Sequence, residues 1–391
     1  VRFAVANRSL KFPDLIFVSL ENWDEVWRRN QFVCSGLARR FPDSKFLFVG
    51  LPRDLSNAAR RRDFSEVRSP TTSAVPGYPN IIVTRPLKVA PNTLRGGRRW
   101  NERLFRGHVR KVAQQLSMQR PLLWLNPHDA VHMAGRMKER AVIYDITDDW
   151  ALASFSQREK QLIQAQDRQL CRRADLTIVC SQALYDSRQT LSKSLLLLPN
   201  GVDVAHYGIG ECVAPQSTTA PVLGYTGTLH DDRIDAALIV ELAQAFPQGK
   251  VLLVGPDNLS DGTRATLKAQ PNIEMRGAVP YAQIAEVMQQ FDVCMVPHQE
   301  SAFTESLNPI KLWEYLACGK PIVSTAVAGF RNYPQLVHLA SGAPAFIAAC
   351  HRALEEDATT CTQRRAVAAQ NSWDARLDEL LKTLEDRRWL D

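Results

Sequence analysis

The sequence predicts an α/β protein made of two doubly wound parallel-sheet domains that face one another across a cleft. Three observations lead there. The chain has 391 residues, more than one hydrophobic core usually organises. Short apolar runs alternate with helix-length segments, as parallel strands do when joined by crossover helices. After PNGVD (199–203) the alternation gives way to an aperiodic stretch with Pro215, Ser217, Thr218, Thr219 and Pro221, the composition of an interdomain linker. Two Rossmann-like domains follow, one over 1–203 and one over 222–371, with 204–221 as linker.

In the first domain the expected strands are DLIFVSL (14–20), KFLFVGL (45–51), IIVT (81–84), PLLWLNP (121–127), AVIYDIT (141–147), DLTIVCS (175–181) and LLLLP (195–199). Residues 52–80, rich in Pro, Ser and Arg, read as a mobile loop. In the second domain they are VLGYTG (222–227), KVLLVG (250–255), NIEMRG (272–277), DVCMVP (292–297) and PIVST (321–325). The segment YAQIAEVMQQF sets Ile284, Val287, Met288 and Phe291 on one stripe, as a sheet-packing helix requires. Residues 372–391 read as a closing helix that packs back across the junction. Ligands of open parallel sheets bind outside the carboxyl ends of the strands, so two such sheets place their sites across the interdomain cleft.

Bulk composition narrows the setting. No run approaches the ~18 apolar residues that span a bilayer, and VRFAVANRSL lacks a signal-peptide core, so the expectation is a soluble, intracellular protein. The eight cysteines are scattered without a C-x-x-C pair, which points to reduced, buried thiols and no structural zinc. Net charge is +7, but residues 1–200 hold 33 Lys+Arg against 18 Asp+Glu and the remainder holds 15 against 23. Arg60, Arg61 and Arg62 and the segment RGGRRWNERLFRGHVRK (95–111) concentrate the excess. Such clusters suit an anionic membrane surface or lipid-phosphate acceptor; no nucleic-acid motif accompanies them.

The most informative segment is ESLNPIKLWEYLACGKPIVST (305–325). Asn308 suits the N-cap of a helix and Pro309 its first position, while Gly319 followed by Lys320 and Pro321 stops it. Lys311 then falls at the third helical position, where it opposes the helix dipole by about 0.3–1 kcal/mol unless an anion compensates. A phosphate is such an anion. Glu314 lies three residues on, on nearly the same face, and a carboxylate accepts two hydrogen bonds from a ribose diol. Upstream, GYTGTLHDDRIDAALI (224–239) is a strand, a glycine turn and a helix, so the backbone at Gly227 and Thr228 can approach a phosphate that Arg233 helps neutralise. The RGAVP turn (276–280) sets the backbone of Ala278 and Val279 at a strand's carboxyl end, in reach of a nucleobase edge.

These pieces, together with PNGVD, KVLLVGP and NSWDARL, resemble the GT-B glycosyltransferases, above all bacterial cell-surface polysaccharide enzymes of the group 1 and teichuronic-acid type. The resemblance covers most of residues 199–380 and is carried most specifically by P-x-K-x-x-E-Y-x-A-x-G-K-P. It implies that Glu314 holds the donor ribose, Lys311 and Arg233 the diphosphate, and Ser306, Leu307 and Asn308 the pyrophosphate or sugar. Many retaining members carry two glutamates with seven residues between them; here Ser306 stands at the matching position, eight before Glu314, and Glu305 one step earlier, leaving the stereochemical outcome open. Glu305 remains a catalytic candidate.

The first domain resembles the family less. In ENWDEVWRRNQF (21–32), RNQ resembles a family R-P-Q, which assigns Arg29 to acceptor or donor phosphates, with Asp24 beside it on the acceptor side. YDITDDW (144–150) ends a strand with Asp145, Asp148 and Asp149, and Asp148 or Asp149 is the favoured general base. His128 and His132 are rivals, His128 also as an acceptor contact. No essential metal and no cofactor is expected beyond the nucleoside diphosphate-sugar donor, which is expected to be UDP-linked. The expected activity is transfer of a sugar to a saccharide or lipid-linked acceptor at the inner membrane face. A nucleotide-sugar epimerase of the same fold and a non-enzymatic nucleotide-sugar-binding or membrane-associated protein are the rival readings.

Overall fold

A computed structural model describes residues 11–68, 70–94, 96–153, 155–212, 219–305 and 308–390. The first domain holds β1 (Leu15–Val18), α1 (Arg29–Arg40), β2 (Phe46–Val49), β3 (Thr72–Val75), β4 (Tyr78–Thr84), α2 (Gly97–Gln115), β5 (Leu122–Leu125), β6 (Ala141–Ile146), α3 (Gln157–Arg173), β7 (Leu176–Val179), α4 (Gln182–Arg188) and β8 (Leu195–Leu197). Its sheet runs β8-β7-β6-β5-β1-β2-β4-β3, parallel except for the β3–β4 hairpin. β1, β2 and β5 are buried throughout because helices cover both faces, which is why they read as unbroken apolar runs. Phe17 at their centre stacks between Phe48 and Trp124, with ring centroids 5.7 and 5.1 Å away.

The second domain adds β9 (Val222–Thr226), β10 (Lys250–Val254), β11 (Ile273–Arg276), α5 (Tyr281–Gln289), β12 (Val293–Val296), α6 (Ile310–Cys318), β13 (Ile322–Ser324), β14 (His338–Leu339), α7 (Ala358–Ala369) and α8 (Trp373–Asp386). Its sheet is parallel, in the order β11-β10-β9-β12-β13-β14. In both sheets the order reverses beside the first strand of the domain, and the resulting crevices open toward each other.

Two expectations fail here. The segment 52–80 is not a loop: it contains the bridge residues Arg53–Asp54, the helices Leu55–Arg61 and Ser65–Arg68, and β3. Asp54 caps the first helix by accepting from Asn57 N, and the buried Arg53 donates to Arg85 O, Val67 O and Thr71 Oγ1. Side-chain hydrogen bonds therefore order a segment whose apolar pattern is too weak to announce it. The second concerns the cysteines. Six are buried free thiols, but Cys212 and Cys361 form a disulfide that ties the middle of the linker to α7, with Cα atoms 5.7 Å apart. The two are 149 residues apart, so no local spacing marks them as partners.

The chain crosses between domains at residues 199–203 and again near 372. There Val202 N donates to Asn371 O and Trp373 N to Val202 O, each at 3.1 Å. α8 then lies on α1 of the first domain: Trp373 stacks on Phe32 at 5.0 Å, and Arg40 pairs with Asp374 and Asp378. Among the described residues, no helix is long and apolar enough to cross a membrane.

Candidate active site in the interdomain cleft

A cleft of about 650 Å³ separates the carboxyl ends of the two sheets. That volume lies within the range of roughly 300–1,000 Å³ common to small-molecule sites. Its second-domain wall is built on α6. Leu312, Trp313, Tyr315 and Leu316 bury one side of this helix, leaving Lys311 and Glu314 on the cleft, and Gly319 ends it at φ 81°. The helix starts one residue later than the sequence implies: Pro309 occupies the capping position and Lys311 the second turn position. Asn308 is not the N-cap. Its Oδ1 accepts from Asn200 N at 2.9 Å and its carbonyl from Asn200 Nδ2 at 2.5 Å, so it joins the helix start to the interdomain crossing.

Lys311 lies directly across Gly227. A Cβ at that glycine would stand 2.3 Å from both Cε and Nζ of the lysine, and φ 137° also disfavours any other residue there. The ammonium sits 5.2 Å from the Tyr225 ring centroid. Burial and the neighbouring Arg233 push its pKa down to about 8, with Glu314 opposing the shift. Burial also holds His298, bonded to Tyr225 Oη at 3.1 Å, well below its usual range, with Lys311 and Arg233 adding to the effect. Burial raises the Glu314 carboxyl, against the pull of Lys311 and of Tyr207, whose Oη donates to Glu314 Oε1 at 2.8 Å. Thr228, Ala278 and Val279 line the same wall. Ser306 and Leu307 lie outside the described residues.

Arg233 reaches across the cleft. Its guanidinium covers Phe303 at 5.5 Å and lies 3.8 Å from Asp148 Oδ1 of the first domain. Asp148 and His128 line the first-domain wall, and burial lowers the His128 pKa. The other first-domain candidates are placed differently. Arg29 borders the cleft but is 3% exposed, and its Nε donates to both Asp145 oxygens at 3.2 and 3.0 Å. Its Nη1 reaches Asn200 Oδ1 at 3.1 Å, so Asp145 and Asn200 engage it inside the protein, while its buried Nη2 has no hydrogen-bond partner among the described residues. Asp149 caps the turn Trp150–Leu152 and pairs with Arg188 at 2.7 Å. Asp24 is held by Arg28 at 3.3 Å and does not line the cleft. Glu305 pairs with Arg331 and is likewise absent from the cleft wall. His132 is also outside it, with burial pushing its pKa down to about 4.

Residues 220–356 match the family described as glycosyl transferases group 1. Over 263 residues the chain is 27% identical to TuaH of Bacillus subtilis (strain 168), described as a teichuronic acid biosynthesis glycosyltransferase; the match spans 62% of this chain and 66% of that protein. Residues 220–356 thus carry the group 1 glycosyl transferase match, within the second domain and the last residues of the linker. Its whole architecture is shared with sucrose-phosphate synthase from Thermosynechococcus elongatus, at a TM-score of 0.71 and 17% identity over 96% of this chain and 100% of that one. HepE of Anabaena, solved with UDP-glucose, superposes with a TM-score of 0.66 at 16% identity, over 96% and 100% of the two chains. The fold is therefore GT-B.

Two cleft residues escape sequence reasoning. Glu21 follows the carboxyl end of β1 at the reversal of strand order, where Asn30 Nδ2 donates to its Oε2 at 3.2 Å. Burial pushes its pKa up to about 7, Arg28 opposing and Asp148 adding to the rise. Applying the strand-end rule to DLIFVSL points to Glu21 directly. Tyr207 has no comparable signal, because it comes from the linker and meets Glu314 only through the fold.

Lys311 yields a signed pH dependence. Its free pKa near 8 rises when a bound anion restores a favourable partner, so binding takes up a proton above that pH. Calorimetry with inorganic pyrophosphate between pH 6.5 and 9.5 is expected to show full affinity below about 8 and a loss of up to about tenfold per unit above it. A flat profile would show that Lys311 does not face the anion.

Proposed function

We propose that the protein transfers a glycosyl group from a nucleoside diphosphate sugar, UDP-linked, to a hydroxyl of a saccharide or lipid-linked acceptor in cell-surface polysaccharide synthesis. The observation that carries this reading is the seat at Gly227. A backbone without a side chain, two adjacent cations and a helix N-terminus converge where a diphosphate's charge is best met, and Glu314, held by Tyr207, stands one turn further for the ribose. Thr228, Ala278 and Val279 are assigned to the rest of the donor. HepE, solved with UDP-glucose, and TuaH, described as a teichuronic acid biosynthesis enzyme, support the choice of donor and of acceptor class. No resident metal or cofactor enters the proposal: the charge on the leaving diphosphate falls to Lys311, Arg233 and the N-terminus of α6.

For the chemical step, Asp148 is assigned as general base because it is the favoured aspartate that faces the cleft and Arg233. It takes the acceptor hydroxyl's proton as the acceptor oxygen bonds to the anomeric carbon, whose bond to the diphosphate breaks with the electron pair leaving on UDP. Closure of the domains brings donor and acceptor together and excludes water.

The first domain's basic face is assigned to an anionic membrane surface. On α2, Trp100 and Leu104 are 57% and 38% exposed, with Leu94 just before the helix at 59%. They stand among Arg98, Arg99, Arg103 and Arg106, an apolar and cationic mixture suited to a lipid interface.

Three measurements test these assignments. Calorimetry with UDP, GDP and dTDP is expected to find UDP the tightest, with Glu314→Ala weakening it by about 1.5–3 kcal/mol, the value of hydrogen bonds to a charged group; equal indifference to all three nucleotides would sink the donor site. Asp148→Asn is expected to lower turnover by about 10²–10⁴ while UDP binding survives; full activity would remove Asp148 as base. Flotation with phosphatidylglycerol vesicles at low salt is expected to carry the wild type up and leave Trp100→Ser with Leu104→Ser behind. Equal flotation of both would refute the docking face.

A further inference from the structure

Behind Asp148 the first domain contains a second cavity, of about 240 Å³. It lies beneath the turn Trp150–Leu152 and is walled by α3, the end of β6 and Arg188 of α4. It shares Leu20, His128, Thr147, Asp148 and Trp150 with the interdomain cleft. The two spaces thus meet at Asp148, 3.8 Å from the Arg233 guanidinium on the donor side.

We propose that this cavity receives one neutral glycosyl unit of the acceptor and presents its reacting hydroxyl at Asp148. The inference rests on the glycosyltransferase reading and adds to it the size and charge of the acceptor's terminal residue.

Size is the first argument. Sites for drug-sized molecules run from roughly 300 Å³ upward, so a cavity of 240 Å³ takes a single ring and has no room for two. Any further acceptor residues must lie outside, which means that the chain end is recognised rather than an internal unit.

Charge is the second. The interior ionic groups already engage one another: Arg188 Nη1 donates to Asp149 Oδ2 at 2.7 Å, and its Nε lies 3.2 Å from Asp167 Oδ2. Tyr144 Oη donates to Asp167 Oδ1 at 2.7 Å. Two carboxylates thus face one guanidinium, and Arg168, the other cation of the wall, is exposed at the rim. A uronic acid carboxylate would enter against a surplus of negative charge. Neutral hydroxyls, each both donor and acceptor, suit carboxylate oxygens, and a neutral His128 ring both donates and accepts. The Trp150 indole N–H has no hydrogen-bond partner although it is shielded from solvent, and its ring borders both spaces. An aromatic plane beside a few convergent polar groups is what a sugar ring's mixed surface requires.

Saturation-transfer NMR on the full chain tests this, using methyl glucoside, methyl galactoside, methyl N-acetylglucosaminide and methyl glucuronide, each with and without UDP. Gln164→Trp plugs the rim from an exposed position of α3, and Gln169→Trp on the same helix controls for the added indole. At least one neutral glycoside is expected to give a signal that Gln164→Trp abolishes and Gln169→Trp retains, with none from methyl glucuronide. The proposal is overturned if no neutral glycoside gives a signal, if the signal survives Gln164→Trp, or if the glucuronide binds as well. UDP binding in the same samples reports on the donor site: its failure in the wild type would sink the donor assignment while the saccharide signals still judge the cavity.

Discussion

Lys311 and Arg233 crowd two positive charges into one corner of the cleft, and most of the surrounding architecture serves to hold them there. A lysine in the first turn of α6 is unfavourable to the helix, and burial, with Arg233 nearby, depresses its pKa. What keeps it in place is packing. Leu312, Trp313, Tyr315 and Leu316 anchor α6 in the second domain's core, and Tyr315 Oη accepts from Thr226 N at 2.9 Å, fixing the helix to β9. Gly227 leaves the space the lysine crosses. The two cations are thus held near each other by the fold, with Glu314 and Asp148 as the carboxylates that offset them.

The same corner is bonded to the interdomain crossing. Asn308, just before α6, bonds Asn200; Asn200 accepts from Arg29; Arg29 pairs with Asp145 at the end of β6. This pair is almost wholly buried, so its formation costs desolvation, and removing either partner would strand a charge. On the other side of the crossing, Trp27, Tyr281 and His206 stack in series, at 5.1 and 4.1 Å, joining the first domain, the second domain and the linker. Tyr281 N also donates to Glu25 O at 2.9 Å. The helix bearing Lys311 and the first-domain sheet therefore share one continuous set of polar and aromatic contacts.

Much of the fold was legible in the primary structure because it rests on local physics. β1, β2 and β5 are buried on both faces, and a strand so placed must be apolar at every position, which is what LIFV, FLFV and LLWL show. Residues 52–80 were illegible for the opposite reason: Arg53 and Asp54 order them through polar bonds that leave no period. In the cleft, Lys311, Glu314 and Gly227 could be read because helix signals and a glycine turn mark them within a few residues. Arg29 and Asp149 carry the same residue types as a phosphate ligand and a base, yet each is engaged by a distant partner, Asp145 and Arg188.

Sequence alone thus determined the two parallel sheets, the turn at Gly227 and the helix bearing Lys311 and Glu314, because hydrophobic period, capping and backbone freedom act over one or two turns of chain. Tertiary structure decided which charges stay available for a ligand. Asp148 faces Arg233 while its neighbour Asp149 is consumed by Arg188, and Tyr207 and Glu21 reach the cleft from a linker and a strand end. Coulombic pairing depends on distance in space and on burial, and neither is encoded by separation along the chain.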